Sequence, residues 1–384
     1  MQIKYLAQVI VISIATVTSA LQAYAGYSSS SAMIESAKRK ELQTTATLIQ
    51  NSIAEQSAKA AARASMTVNL PSIQQAFRKG DREELMQRLG PAYIAQRDQF
   101  GVREAQFHLA PAISFLRVYA PEAGHGEDLS SFREMVLATN RHTEPQRGIE
   151  IGRRGLSIRG IYPIKDEQGT LGSFEVGMDF DNVLKDCKKT TGYEAGVFVD
   201  DKLMTKVATL NPKPDPERVI GGFQNVSSTD WAAIRPMVNP ELLNHVKDVT
   251  VQLQSVKGTD FGEVLVPMLD YKGVNIGSIV AVRNFSEYQL MARWALVGNA
   301  AMAGLQIILL AGALLMVING MLLRPLAALD QAIGKLAKGE EAPDLAELAK
   351  QPGELGSLAK NASKLRLKQS AEATVPASEV KTHA

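Results

Sequence analysis

A single cysteine, Cys187, occurs in 384 residues. That excludes an internal disulfide and any cysteine-rich metal site, and it leaves the thiol as a small buried hydrophobe or an idle surface group. Excess charge is missing as well: 42 basic and 40 acidic side chains give a net charge of +2, which offers no footprint for nucleic acid. No glycine-rich phosphate cradle appears, and no nucleophile, base and orienting group converge in a motif, so an anchored exported enzyme finds no support. His108, His125 and His142 stand 17 residues apart, a spacing that fits no standard ligand set, so neither a metal nor a cofactor is expected.

Charge is also absent locally, from 294 to 323 and again from 5 to 34. About 20 apolar helical residues cross a hydrocarbon core, so transmembrane helices are expected over 1–30 and 294–320, with 31–290 exported between them. Ala23-Tyr24-Ala25 has the small-x-small form of a signal-peptidase site, so the first segment is either an anchor or a cleaved leader. Lys38, Arg39 and Lys40 make the charge count around that segment uninformative, whereas Arg324, Lys335 and Lys338 beyond the second fit the cytoplasmic side. The expected location is the cytoplasmic (inner) membrane, multi-pass, with a large periplasmic or extracellular domain.

That domain opens with a stretch from Ser31 to Thr67 that lacks Gly and Pro and carries apolar or small residues at helical spacing, ending at Pro71. A second helix is expected from Asp81 to Gln99, with a kink or break near Leu89 because Pro91 lies inside it. Strands follow at 105–109, 114–119, 156–164 and 171–180, the last two joined by a four- or five-residue hairpin loop at 165–169. A short helix is expected from Ser131 to Asn140. The second half has strands at 194–199, with Asp200-Asp201 as a turn, and a hairpin of 263–269 with 276–282. The two hairpins carry similar turns, which either marks two related lobes or is convergence of turn chemistry.

Gln106-Phe107-His108-Leu109, Ser114-Phe115-Leu116-Arg117, His125-Gly126-Glu127-Asp128-Leu129, Phe132-Arg133 and the run Gly148 to Gly160 together resemble the extracellular double Cache sensor domains of bacterial chemoreceptors and two-component sensor kinases, over about 35–285. The resemblance implies an α+β fold in which a long amino-terminal helix carries two PAS-like lobes, distal at about 80–190 and proximal at about 191–290. A small molecule would bind in the distal lobe. The Tyr, Arg, Trp and Asp pattern of amino-acid-binding members is not found.

Charged residues on expected strands need a partner or a ligand. Arg159 and Glu175 are either a cross-strand pair on an exposed sheet face, or Arg117, Arg133 or Arg159 anchors an anionic ligand through its guanidinium fork. His125 and Asp128 either hydrogen-bond a ligand or, for Asp128 with Ser131, cap the following helix. His108 and Tyr119, on the same strands, complete the candidate ligand-binding set.

Beyond Arg324-Pro325, the residues Leu326, Leu329, Ile333 and Leu336 form one a/d seam, and Leu355, Leu358, Ala362 and Leu365 form another across a 339–353 connector. With Glu354-Leu355-Gly356 opening the second, 321–369 resembles a HAMP domain. That implies a homodimeric parallel bundle. Only about fifteen residues follow, and 370–384 reads as disordered. The expectation is a transmembrane sensory receptor whose output comes from a separate cytoplasmic signalling protein, of chemotaxis or two-component type. The alternatives are a truncated receptor or a scaffolding membrane protein without a ligand.

Overall fold

In a computed structural model of the chain, residues 3–167, 169–338, 340, 342, 344–350 and 353–372 are described. They divide into two compact units, Met33–Met291 on one hand and Met1–Ala32 with Ala292–Ala384 on the other. Helix α1 (Ile3–Val68) is one element, so the helix expected from Ser31 continues without interruption from the first apolar segment. Only Gly26 could weaken that junction, and one helical glycine costs about 1 kcal/mol. Leu42, Ala46, Ile49, Ala60, Ala64 and Val68 form the buried stripe of α1.

Pro71 opens a further helix, α2 (Pro71–Arg78), which the sequence reading missed. Proline suits a first turn because its absent N–H would have no intrahelical partner there. Helix α3 (Arg82–Phe100) begins where the Asp81 carboxylate accepts the Glu84 N–H at 2.9 Å and ends at Gly101 with φ +69°. It runs through Pro91 without the expected break; burial of Leu85, Gly90 and Tyr93 on either side offsets the one lost hydrogen bond.

The first sheet contains β1 (Val102–Leu109) and β2 (Ile113–Arg117), then, after α4 (Glu134–His142), β3 (Gln146–Gly152), β4 (Gly155–Asp166) and β5 (Gly169–Met178), all antiparallel in the order β2-β1-β5-β4-β3. Strand β3 was not anticipated. Helix α4 starts at Glu134 rather than Ser131, because the Asp128 carboxylate turns to the Ser130 N–H (2.9 Å) and Arg133 stands at the N-cap. The hairpin is tighter than expected, with Asp166 paired to Gly169; Gln168 lies outside the described residues.

Next come α5 (Asp181–Thr191), β6 (Glu194–Asp200), α6 (Asp201–Val207), β7 (Val219–Ile220), β8 (Phe223–Ser228), α7 (Trp231–Ile234), α8 (Pro240–His245), β9 (Thr250–Val256), β10 (Thr259–Leu269) and β11 (Asn275–Asn284). Asp200-Asp201 is not a turn: the Asp200 side chain accepts the Leu203 N–H and starts α6. The second sheet has the order β7-β8-β6-β11-β10-β9. Apart from the two-residue β7, this repeats the first sheet with both hairpins in equivalent places. Converging turns would not reproduce five strands in one order, so the related-lobe reading accounts for the similarity. One face of each sheet packs on a common core with α1. At Gly160 the helix comes so close that a Cβ would overlap the backbone of Ala60 and Ala61. Cys187 is a buried free thiol on α5.

The other unit contains the rest of α9 (Ser286–Ile318), a π-helical turn at Asn319–Leu323, α10 (Arg324–Ala337), α11 (Asp344–Leu348) and α12 (Glu354–Glu372). Among the described residues, two helices are long and apolar enough to cross a membrane. Their apolar parts meet in this unit, where Gln306 donates to Gln22 at 2.8 Å. The wide turn lies just before Pro325, whose ring removes a donor and crowds the carbonyl four residues back. The expected connector contains α11, and residues 370–372, expected to be disordered, belong to α12; 373–384 lie outside the described residues.

Candidate functional site

Side chains alternate across a strand, so each strand of the first sheet sorts its residues onto two faces. Ala105, Phe107, Phe174 and Val176 point into the core shared with α1. The opposite face carries Glu104, Gln106 and His108 from β1, Ser173 and Glu175 from β5, Ser157 and Arg159 from β4, Glu150 from β3 and Arg117 from β2. An alternation of this kind ordinarily means a solvated face. Here every one of those residues is buried, because 118–133 and α4 cover them, with Leu129, Met135 and Val136 packed against Ala112 and Ile161.

Under the cover the charges are paired. Arg159, fully buried, donates from Nη1 to Glu104 at 2.9 Å and to Glu175, and Ser157 donates to Glu104 at 2.7 Å. Arg133 reaches in from the α4 N-cap; its Nε donates to Glu150 at 2.7 Å and its Nη2 to Glu175, while the Met135 N–H donates to the other Glu150 oxygen at 2.9 Å. Two guanidinium groups and three carboxylates make up this group, and at its edge Arg103 Nε lies 4.0 Å from Glu104. Arg117 pairs with Glu127 from the covering loop, and Glu127 also accepts from Arg153 Nε at 2.7 Å.

Burial pushes the Glu175 carboxyl up, but Arg133 and Arg159 outweigh it and hold it well below the usual carboxylate range. Glu104 is also held low: burial pushes it up, but Arg159, the Ser157 hydroxyl and Arg103 together outweigh that. Burial pushes His108 down to about 3, so it is a neutral imidazole. Its Nδ1 lies 3.5 Å from Ser173 Oγ, and its Nε2 has no hydrogen-bond partner among the described residues.

Of the sequence candidates, His108, Arg117, Arg133, Arg159 and Glu175 come together on this face. Tyr119 lies at its margin: its hydroxyl is 3.4 Å from Gln106 Oε1, and its ring, beneath Arg154, lines an open cleft of about 550 Å³ shared with Tyr93, Arg97 and Arg103. His125 and Asp128 sit in the covering loop and are not buried, His125 Nδ1 lying 3.2 Å from the Phe115 carbonyl. Arg159 and Glu175 do pair, but on a buried face, not the exposed one expected. Sequence reasoning missed Glu104, Glu150 and Glu127. The signal for Glu104 was the period-two polarity itself, at Glu104, Gln106 and His108, whereas Glu150 and Glu127 lie on a strand and in a loop outside that pattern.

The equivalent face of the second sheet is mostly apolar, with Phe198, Leu265, Val280 and Val282, and it also buries Ser278 and Glu263, which accepts from the side-chain amides of Gln252 and Gln254. At its end Glu41 of α1 accepts from Arg283 at 2.8 Å and from the Tyr288 hydroxyl at 2.6 Å, tying α1 to the start of α9. Beyond α9, Leu329 and Ala332 pack on Ala342, Leu345, Leu348 and Ala359, with Leu336 against them. Pro325 is buried and Leu355 half-buried, whereas Leu326, Ile333, Glu354 and Leu358 are exposed; the Leu365 side chain lies outside the described residues. No cluster of three His, Cys, Asp or Glu side chains suited to a metal occurs among the described residues.

Residues 35–289 match the model of dCache_3, the double sensory domain of two-component sensor kinases. Among solved structures, the sensory domain of the Campylobacter jejuni chemoreceptor Tlp3 with isoleucine bound is 12% identical with a TM-score of 0.41, covering 70% of this chain and 98% of that one. The periplasmic domain of Vibrio cholerae LuxQ is 10% identical with a TM-score of 0.40, covering 63% and 99%. No curated protein matches the chain.

Proposed function

The chain belongs to the family of double sensory domains of two-component sensor kinases, and from that membership we propose that it is a transmembrane sensory receptor reading a small molecule on the covered polar face of its first sheet. The observation that carries this reading is the burial of Arg133, Arg159, Glu104, Glu150 and Glu175 on that face. Buried ion pairs are a poor source of stability, since apolar residues of similar volume hold a fold as well or better. A sheet face given over to them therefore needs a reason other than packing, and polar recognition of a ligand under a cover supplies one. No catalytic role is assigned to these residues.

In this reading the protein is multi-pass in the cytoplasmic membrane, with Met33–Met291 on the periplasmic or extracellular side. Movement of the cover would shift the first sheet against α1, and the Glu41 contacts with Arg283 and Tyr288 would pass that shift to α9. Shifts of about 1–2 Å suffice to repack a helical bundle. The exposed Leu326, Ile333 and Leu358 would face a second copy in a HAMP-like dimer, which would signal to a cytoplasmic partner.

The test uses the full chain in detergent for thermal unfolding against a metabolite panel, then Ile333→Cys in membranes for disulfide cross-linking. A specific ligand at 100 times its dissociation constant adds about 2.7 kcal/mol. It should also change the rate at which the Ile333→Cys variant forms its cross-linked dimer by at least about 3-fold, a coupling of about 0.6 kcal/mol. A panel that stabilises nothing, with cross-linking unchanged by any member, would sink the receptor reading and leave a scaffold.

A further inference from the structure

Arg133 is the one member of the buried charge group that does not belong to the sheet. Glu104, Glu150, Arg159 and Glu175 all stand on strands, whereas Arg133 is supplied by the cover, at the N-cap of α4. Its planar fork lies between two carboxylates from different strands, Nε on Glu150 of β3 and Nη2 on Glu175 of β5. Withdrawing it with the cover would leave Glu150 without its guanidinium partner and Glu175 with Arg159 alone. A second, independent feature marks the same place: the fully buried His108, in the electrostatic field of Glu175 and Arg133, keeps an Nε2 without a partner among the described residues. The cover contributes one more latch, Glu127 on Arg117.

Resting on the receptor reading above, we infer that the ligand is a cation carrying a guanidinium or amidinium group, which binds between Glu150 and Glu175 in the place of Arg133 and releases the cover. The arginine is a tethered stand-in for the ligand. A bulky anion is disfavoured at this position, because it would meet the Glu150 and Glu175 carboxylates that Arg133 now neutralises. The planar, two-edged geometry favours guanidinium over ammonium, since a fork spans two carboxylates in fixed directions. Tyr119, between the open cleft and Gln106, stands at the edge by which a small molecule would reach the face.

The test probes the full chain in detergent with methylguanidinium, methylammonium and acetate, as wild type and as Arg133→Ala. Methylguanidinium is expected to bind Arg133→Ala at least about 10-fold more tightly than wild type, whose own side chain competes at high effective concentration. It should also bind Arg133→Ala at least about 10-fold more tightly than methylammonium, and Glu175→Gln in that background should abolish the preference. Equal binding of all three probes, or binding of acetate alone, overturns the inference. If Arg133→Ala does not fold, hydrogen exchange on wild type decides: methylguanidinium should speed exchange of amides in 118–136 by at least about 5-fold while leaving β4 and β5 unchanged, and no such acceleration overturns it. A wild-type stabiliser from the metabolite panel that carries no cationic group overturns this inference alone and leaves the receptor reading standing.

Discussion

Removing charge from the buried network should have opposite consequences depending on its sign. The group comprises two guanidiniums and three carboxylates, so Arg159→Met leaves one cation facing three anions, on a face where Arg159 and Glu175 are both 0% exposed. Removing one partner of a buried pair costs about 3–5 kcal/mol. Glu175→Gln instead leaves two guanidiniums with Glu104 and Glu150, a balanced set, and keeps an acceptor for Arg133 and Arg159, so it should cost about 1–2 kcal/mol. The pH dependence sharpens the contrast. In the wild type the Glu175 carboxyl is held below its usual value of 4.5, so its contribution is present above that pH and is lost only as the pH falls further. In Arg159→Met burial is opposed less, so the Glu104 and Glu175 carboxyls shift upward and the penalty at neutral pH is partly relieved on acidification. Urea unfolding of Met33–Met291, followed by circular dichroism at neutral and mildly acidic pH, measures both. Equal costs for the two variants, or a wild-type-to-Arg159→Met gap that does not narrow on acidification, would refute the charge-balance argument.

His108 should make the same domain acid-sensitive at a higher pH. Its folded pKa of about 3 lies below the unfolded 6.5, so its contribution is full above 6.5 and declines as the pH falls, by about 2 kcal/mol at pH 5; in His108→Gln the unfolding curves at pH 7.5 and pH 5 should differ by that much less. Gly160→Val should cost about 3 kcal/mol in the same assay, because its side chain meets the α1 backbone at Ala60 and Ala61; a cost under about 1 kcal/mol would mean that the helix and sheet are not in contact there.

Local chemistry was legible from the sequence wherever a residue's effect is confined to its own segment. Asp81 and Gly101 bound α3 because a carboxylate cap and a left-handed glycine act within one turn. The strands β1, β4 and β5 and both hairpins were readable for the same reason, since period-two polarity and turn residues are local. Pro91 does not break α3, because the penalty for a helical proline is local but the burial that offsets it is not. Strand β3 escaped because its glycines dilute the pattern.

Sequence patterning is enough to place two apolar segments around an α+β sensory domain and to put Gln106, His108, Ser173 and Glu175 on strands. Only the tertiary structure decided that this face is covered. Alternation says which side of a strand a residue takes, but burial depends on what the distant chain lays over it, and that here is a loop and a helix whose Arg133 closes the face. The same strand face would be a solvated surface without that cover; beneath it, desolvation holds Glu104 and Glu175 in a paired charge group with Arg133 and Arg159.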